Sequence, residues 1–266
     1  SAGAFNPAGV HENSGRMNGW IQTAQAAFQH VGERGDSRKN LVQNLSHLRR
    51  FRGRQDSQAQ VDTSPDVKQQ MLLNNVKKIS SILFTHEHAD QTHGINELRP
   101  FYWINKKKIN IYGSPRTIKY LRETFSYCFK QELNYEPIFK PNIIKNSFSL
   151  GSDVERIKFE TINVKHGKIK SLGYIFEKMA YISDCNGIYP NNLKKLKNLN
   201  YLIVDCFRFK KHMTHFNLND ALTLINKVRP KKTILTNLHS DIDYKYLLNI
   251  LPRNVKPAYD GLKLIL

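Results

Sequence analysis

Cysteine is scarce in this chain. Cys128, Cys185 and Cys206 lie far apart among 266 residues, with no Cys-x-x-Cys spacing. That argues against a disulfide scaffold and fits a reducing cytoplasm, which is the expected compartment. Cys206 ends an apolar run and reads as a small buried side chain. Long apolar stretches are missing too: none approaches the ~20 residues of a membrane span, and the N-terminal part has no apolar signal-peptide core. No membrane association is expected. The chain opens on Ser rather than Met, as a fragment or processed product would.

Acidic residues are outnumbered, 22 against 41 Lys and Arg, for a formal net charge of +19. Such a balance raises affinity for polyanions, nucleic acid included, and steers phosphate-bearing substrates toward the surface. Solvated lysines account for it equally well. Lys106-Lys-Lys108, Lys194-Lys195 and Lys210-Lys211 are too scattered to mark one stripe, and no aromatic-rich nucleic-acid motif accompanies them.

Tyrosine divides the chain. Residues 1–60 hold none of the 12 Tyr, with seven Arg, one Lys and seven Gln; residues 61–266 hold all 12, with 26 Lys and four Gln. Eight basic against four acidic residues give the first part +4, and 33 against 18 give the second +15. The expected organisation is an N-terminal segment, 1–60, of different compositional background, and a domain, 61–266, able to bury its own core. In the first part, Trp20, Ala24, Phe28 and Val31 predict one short helix over 19–31 in otherwise irregular chain. The Arg-rich run 49–54 reads as solvated, and His11, His30 and His47 have no expected metal role.

What the chain does have is one dense cluster of ligand chemistry: His86-Glu-His-Ala-Asp-Gln-Thr-His93-Gly94. The apolar run 79–85 before it predicts a buried strand, so these side chains lie on a loop held by a rigid element. His86 and His88, two apart in extended chain, point the same way and can grip one ion; Asp90 falls on the same side, within reach of a second. Imidazole with carboxylate suits Zn, Mn or Fe better than Ca or Mg. Spacing and strand context differ from the helical zincin pattern, whose histidines are four apart.

The cluster resembles the His-x-His-x-Asp-His signature of the metallo-β-lactamase fold, a superfamily of mostly dinuclear metallohydrolases. Asp62-Thr-Ser-Pro-Asp66, Leu83-Phe-Thr-His-Glu-His-Ala-Asp90, Gly94-Ile-Asn-Glu-Leu-Arg-Pro-Phe-Tyr102, His212-Met-Thr-His215, Leu235-Thr-Asn-Leu-His239 and Tyr259-Asp-Gly261 are similar to its phosphoribosyl cyclic-phosphate phosphodiesterase branch. The likeness runs from about Val61 to the C-terminus. It implies an α/β fold, an αββα sandwich with helices on both outer faces, in which the N-terminal strands are missing or replaced, because the run before Val61 is a poor strand by pattern.

The resemblance also implies a site. His86, His88 and His166 would hold one divalent ion, Asp90 and His239 a second, with Asp184 bridging; Asn237 is the alternative to His239. Zn or Mn are the expected ions. Asp90, Asp184 and His215 would be catalytic, His215 and His212 would meet the substrate phosphate, and Asp62 and His93 would support the ligands from behind. One departure stands out: Gln91 occupies the place of a histidine that holds the second ion, and an amide oxygen is a poorer donor to a transition ion. The second site is then weak, empty or selective for a harder ion. The activity implied is hydrolysis of a small phosphodiester, cyclic or nucleotide-derived, by metal-activated water. A metallohydrolase of a thioester or lactone and an inactive metal-binding homologue are the alternatives.

Among the remaining elements, strands are expected at 109–112, 154–164, 201–205, 233–236 and 262–266, and a hairpin at 172–176 and 179–182 around Glu177-Lys178. Helices are expected at 114–129, 217–228 and 243–251.

Overall fold

Period-two alternation writes the longest strand. β6 (Arg156–His166) alternates exposed and buried positions over most of its length, burying Ile157, Phe159, Ile162, Val164 and His166. It pairs antiparallel with β5 (Ser147–Gly151) and β7 (Ile169–Phe176). β7 turns into β8 (Met179–Ile182) through Glu177 and Lys178, whose φ of 43° and 60° suit a tight two-residue hairpin. β10 (Tyr201–Asp205), β11 (Lys232–Thr236) and β12 (Val255–Pro257) extend this sheet in parallel, giving the order β12-β11-β10-β8-β7-β6-β5, with the short β9 (Gly187–Ile188) beside β6. A second, all-parallel sheet has the order β1-β2-β3-β4, from β1 (Ala59–Val61), β2 (Ser81–Leu83), β3 (Ile109–Gly113) and β4 (Phe139–Ile143). These elements belong to a computed structural model that describes residues 59–132, 134–151, 156–262 and 264. The helix expected over 19–31, the Arg run 49–54, His11, His30 and His47 lie outside them.

Successive residues of single strands feed different layers. In β2 and β10, Leu83 and Ile203 join Val61, Phe159, Tyr174, Tyr181 and Ile234 in a cluster shared by both sheets. Their neighbours Ile82 and Phe84 pack outward with helices α1 (Val67–Leu73), α3 (Arg99–Asn105) and α4 (Pro115–Thr124). On the other side, Leu202 and Val204 pack with α6 (Leu218–Val228), whose Leu218, Ala221, Leu224, Ile225 and Val228 recur at helical spacing. That is the αββα layering. Each large side chain so buried contributes about 1.5–3 kcal/mol. Helix starts are set by side-chain caps: Ser114 accepts from the Thr117 amide at 3.1 Å, with Pro115 at the first helical position, and Asn217 accepts from the Asp220 amide at 2.8 Å.

Three expectations are corrected. β1 exists: Ala59-Gln60-Val61 pairs in parallel with Ser81, Ile82 and Leu83, so a strand leading into Asp62 is present among the described residues. Pairing overrides weak propensity here, and the Gln60 amide is satisfied by the Val61 carbonyl at 3.0 Å. β4 and β5 were not anticipated; their burial patterns show few covered positions, and edge strands carry little apolar signal. A closing strand over 262–266 is not formed at Leu262 or Leu264, which pack against the shared core, while the edge strand is Val255–Pro257 and the other residues of that stretch are outside those described.

Strand direction places the site. Asp62 follows β1, His86 lies just beyond β2, His166 and Asp205 end β6 and β10, Asp184 follows β8 and Asn237 follows β11. All lie at carboxyl ends, where side chains of neighbouring parallel strands converge. The sheets are tied together there: the Leu172 amide donates to the Thr85 carbonyl at 2.9 Å, and the buried Tyr174 hydroxyl donates to the Phe84 carbonyl at 2.6 Å. Gly94 closes the ligand loop, its amide donating to the Thr63 carbonyl at 3.0 Å. A Cβ at Gly94 would stand 1.9 Å from the Ser64 carbonyl oxygen and 2.7 Å from Val67 Cγ1. Gly94→Ala is therefore expected to destabilise the protein by about 1–3 kcal/mol, as overpacking does; a denaturant midpoint unchanged from wild type would contradict this.

Candidate metal centre

The geometry begins with a buried carboxylate. Asp62, wholly buried, accepts from the Thr85 amide and from the Thr85 hydroxyl, each at 2.8 Å. Burial pushes its carboxyl well above the ordinary carboxylate range, against those two hydrogen bonds. Because the Thr85 proton goes to Asp62, the Thr85 oxygen can only accept from His86 Nδ1, 3.0 Å away. That fixes the His86 tautomer: the proton is on Nδ1 and Nε2 keeps its lone pair. His166 is fixed likewise, with Nδ1 donating to the Thr214 carbonyl at 2.8 Å.

Both free Nε2 atoms aim at His88 Nδ1, at 2.9 Å from His86 and 3.2 Å from His166. One proton on His88 can satisfy only one of two lone pairs. A cation satisfies all three nitrogens at once, and donors about 2.0–2.1 Å from a tetrahedral zinc stand about 3.3 Å apart. The residues fit a metal ion on that ground. Burial, then the neighbouring His166 and His88, pulls His86 down to about 3; burial lowers His166 also. Both imidazoles are thus held neutral, the form that ligates.

A second group adjoins the first. Asp184 and His215 gather with His166, their ligand atoms within 4.8 Å of one another. His215 Nδ1 donates to Asp205 at 2.8 Å and lies 3.8 Å from Asp184. Asp205 also accepts from the Cys185 amide at 3.0 Å and the Asn237 amide at 3.2 Å. Burial pushes the Asp205 carboxyl up to about 7, opposed by the hydrogen bond and charge of His215. Burial pulls His215 down, but the Asp205 hydrogen bond and charge, with Asp184 and Asp90 beyond, outweigh it and leave His215 raised above 6.5. Sequence reasoning missed Asp205; the available signal was an acid closing the otherwise apolar Tyr-Leu-Ile-Val run.

Other expected residues have other partners. His239 Nδ1 pairs with Asp241, and its ring stands against Phe207, on which the rings of His215 and His212 also pack. Neither His239 nor Asp90 joins a ligand grouping among the described residues. Asn237 reaches Asp205 and His215 instead. Asp90 accepts from Gln91 at 2.9 Å. His93 is exposed, bonded to Thr92 at 3.1 Å and set edge-on to Phe125. His212 meets Thr214 and lies 5.2 Å from the His215 ring. Glu87 turns away to Arg116 at 2.6 Å.

A family model described as a beta-lactamase superfamily domain matches residues 60–237, and with the converging imidazoles that decides the family. The chain belongs to the beta-lactamase superfamily. Its fold is the metallo-β-lactamase fold. A crystal structure of a diphosphatase from the PhnP family is similar at 29% identity and TM-score 0.70, over 77% of this chain and 78% of that one. Human tRNase Z, short form, shares the fold at 19% identity and TM-score 0.58, over 77% and 86%. A Porphyromonas gingivalis protein named octanoyltransferase is 27% identical over 210 residues. This chain is matched over 77% of its own length but spans 42% of that protein. Among the described residues no helix is long and apolar enough to cross a membrane, and the three cysteines are buried and free.

Thr85→Val keeps the side-chain shape and removes the oxygen that orients His86. It is expected to weaken ion retention about 10–100-fold, read as the chelator concentration that strips the metal. His93→Ala, at an exposed position away from the ring nitrogens, is expected to change that concentration less than about twofold; the reverse ranking would sink the assignment.

Proposed function

We propose that this superfamily member is a metal-dependent phosphodiesterase acting on a small, cyclic or nucleotide-derived phosphodiester. The observation that carries it is the meeting of three imidazole lone pairs beside an acid-held imidazole, His215 on Asp205. The phosphorus preference draws support from the likeness to the PhnP-family diphosphatase and from the net charge of +19. His86, His88 and His166 would hold a divalent ion, Zn or Mn, which when bound would supply Lewis acidity and lower the pKa of water toward neutrality.

The chain's own groups do the rest. Asp184, beside His166, accepts the proton of the attacking water. His215, whose pKa Asp205 raises, faces the developing negative charge and in its protonated form donates its Nε2 proton to the leaving oxygen. His212, next to His215, meets the phosphate at the rim. Asp205 does not touch substrate; it positions His215 and sets its protonation. Asn237 and the Cys185 amide hold Asp205 in turn.

Chelator-treated protein is expected to lose turnover of an aryl phosphodiester, and Zn or Mn to restore it. Asp184→Ala and His215→Ala should each lower kcat by at least about 100-fold. Cleavage of a thioester or lactone by protein inert toward phosphodiesters would overturn the reading.

The pH profile tests the dyad. His215 is active protonated, and the Asp205 anion raises its pKa, so activity should persist above the ordinary histidine pKa and fall as pH climbs through the raised value. Asp205→Asn removes the anion and leaves burial to pull His215 down. The alkaline limb of kcat should then move to lower pH; a limb that stays in place excludes His215 as the acid.

A further inference from the structure

We infer that the centre holds one ion per chain, and that the side-chain amide of Gln91 takes the place of the second. The inference builds on the metal-centre reading above. Gln91 lies in α2 (Ala89–Thr92), one residue after Asp90. Its Nε2 donates to Asp90 Oδ2 at 2.9 Å and to Asp184 Oδ2 at 3.4 Å. The two carboxylates expected to share a second ion are therefore already joined, through one nitrogen between them. An amide NH2 offers two hydrogens and no lone pair, so it satisfies two anions and ligates nothing.

Gln91 cannot easily withdraw. Its side chain is buried, its backbone amide donates to the His88 carbonyl at 3.1 Å, and its carbonyl accepts from the Thr63 amide at 2.7 Å. The opposite amide orientation would set Oε1 against two carboxylate oxygens, an arrangement only a cation could hold. In the orientation present, Oε1 is buried and has no partner among the described residues. The amide thus gives up one hydrogen bond to keep two charge-assisted ones.

His239, the expected nitrogen donor of the second ion, holds Asp241 through Nδ1, with the Phe207 ring packed against it and against His215. Asp90 and His239 are absent from every ligand grouping of the described residues, whereas His86, His88 and His166 form one. A second ion would have to displace the amide from both carboxylates and do without an imidazole at position 91.

The test is stoichiometry on the full chain, metal-depleted and then dialysed to equilibrium against Zn2+ or, separately, Mn2+, with elemental analysis of the protein. About one equivalent of either ion in wild type, rising to about two in Gln91→His and returning to one in Gln91→His with Asp90→Asn, is the expected result. Two equivalents in wild type would overturn the inference and leave the three-histidine centre standing. A second equivalent with Mn2+ alone would also overturn it, by making Oε1 a ligand. No bound ion at all would remove both this inference and the metal-centre reading. Gln91→His that keeps the wild-type circular dichroism and still binds one ion would remove the role given to Gln91.

Discussion

The site depends on lone pairs that the fold leaves without protons. Two imidazoles are each forced into one tautomer by an acceptor behind them, the Thr85 hydroxyl for His86 and the Thr214 carbonyl for His166. The first acceptor can only accept because Asp62 has taken its hydrogen, and Asp62 is available only because β1 delivers it, buried, to the end of β2. A buried carboxylate costs free energy unless it is hydrogen-bonded, and here both of its bonds go to Thr85. Breaking the chain anywhere releases the tautomer. Fold and chemistry meet at that point: sheet pairing sets Asp62, Asp62 sets Thr85, and Thr85 aims His86.

Much of the fold was legible because it is written in local pattern. The alternation of β6, the apolar run of β10, and the caps at Ser114 and Asn217 each reflect a force acting within a few residues. β1, β4 and β5 were not legible, because their strand character comes from neighbours. Ala59-Gln60-Val61 has no alternating apolar signal, and Gln60 is buried only because β2 lies alongside and the Val61 carbonyl accepts its amide. β4 carries Pro141 and exposed residues, which pattern reading assigns to loop.

The site divides in the same way. His86 and His88 were legible as a pair because spacing of two in extended chain puts both on one side. His166 and Asp184, 18 residues apart, entered by resemblance, and their nearness to that pair follows from β6 and β8 running the same way on either side of β7. Asp205 was not legible, since a lone acid after four apolar residues reads as a strand end; its partners, His215, Asn237 and the Cys185 amide, all come from other segments. His239 also entered by resemblance, and its Nδ1 is held by Asp241 two residues away.

Charge balance ties the two groups into one device. In a two-ion centre, a second cation would offset the negative charges of Asp90 and Asp184. With an amide there instead, Gln91 binds both carboxylates but leaves their charge uncancelled. Positive charge beyond that of the single ion then comes from a side chain, His215, which lies 3.8 Å from Asp184 and is raised by Asp205. A protonated imidazole differs from an ion in one respect that matters for a hydrolase: it can hand over its charge with a proton as the leaving oxygen develops its own. On the one-ion inference, Gln91 between Asp90 and Asp184 and the buried Asp205 behind His215 belong to one arrangement, in which the charge of a second ion is replaced by a transferable one.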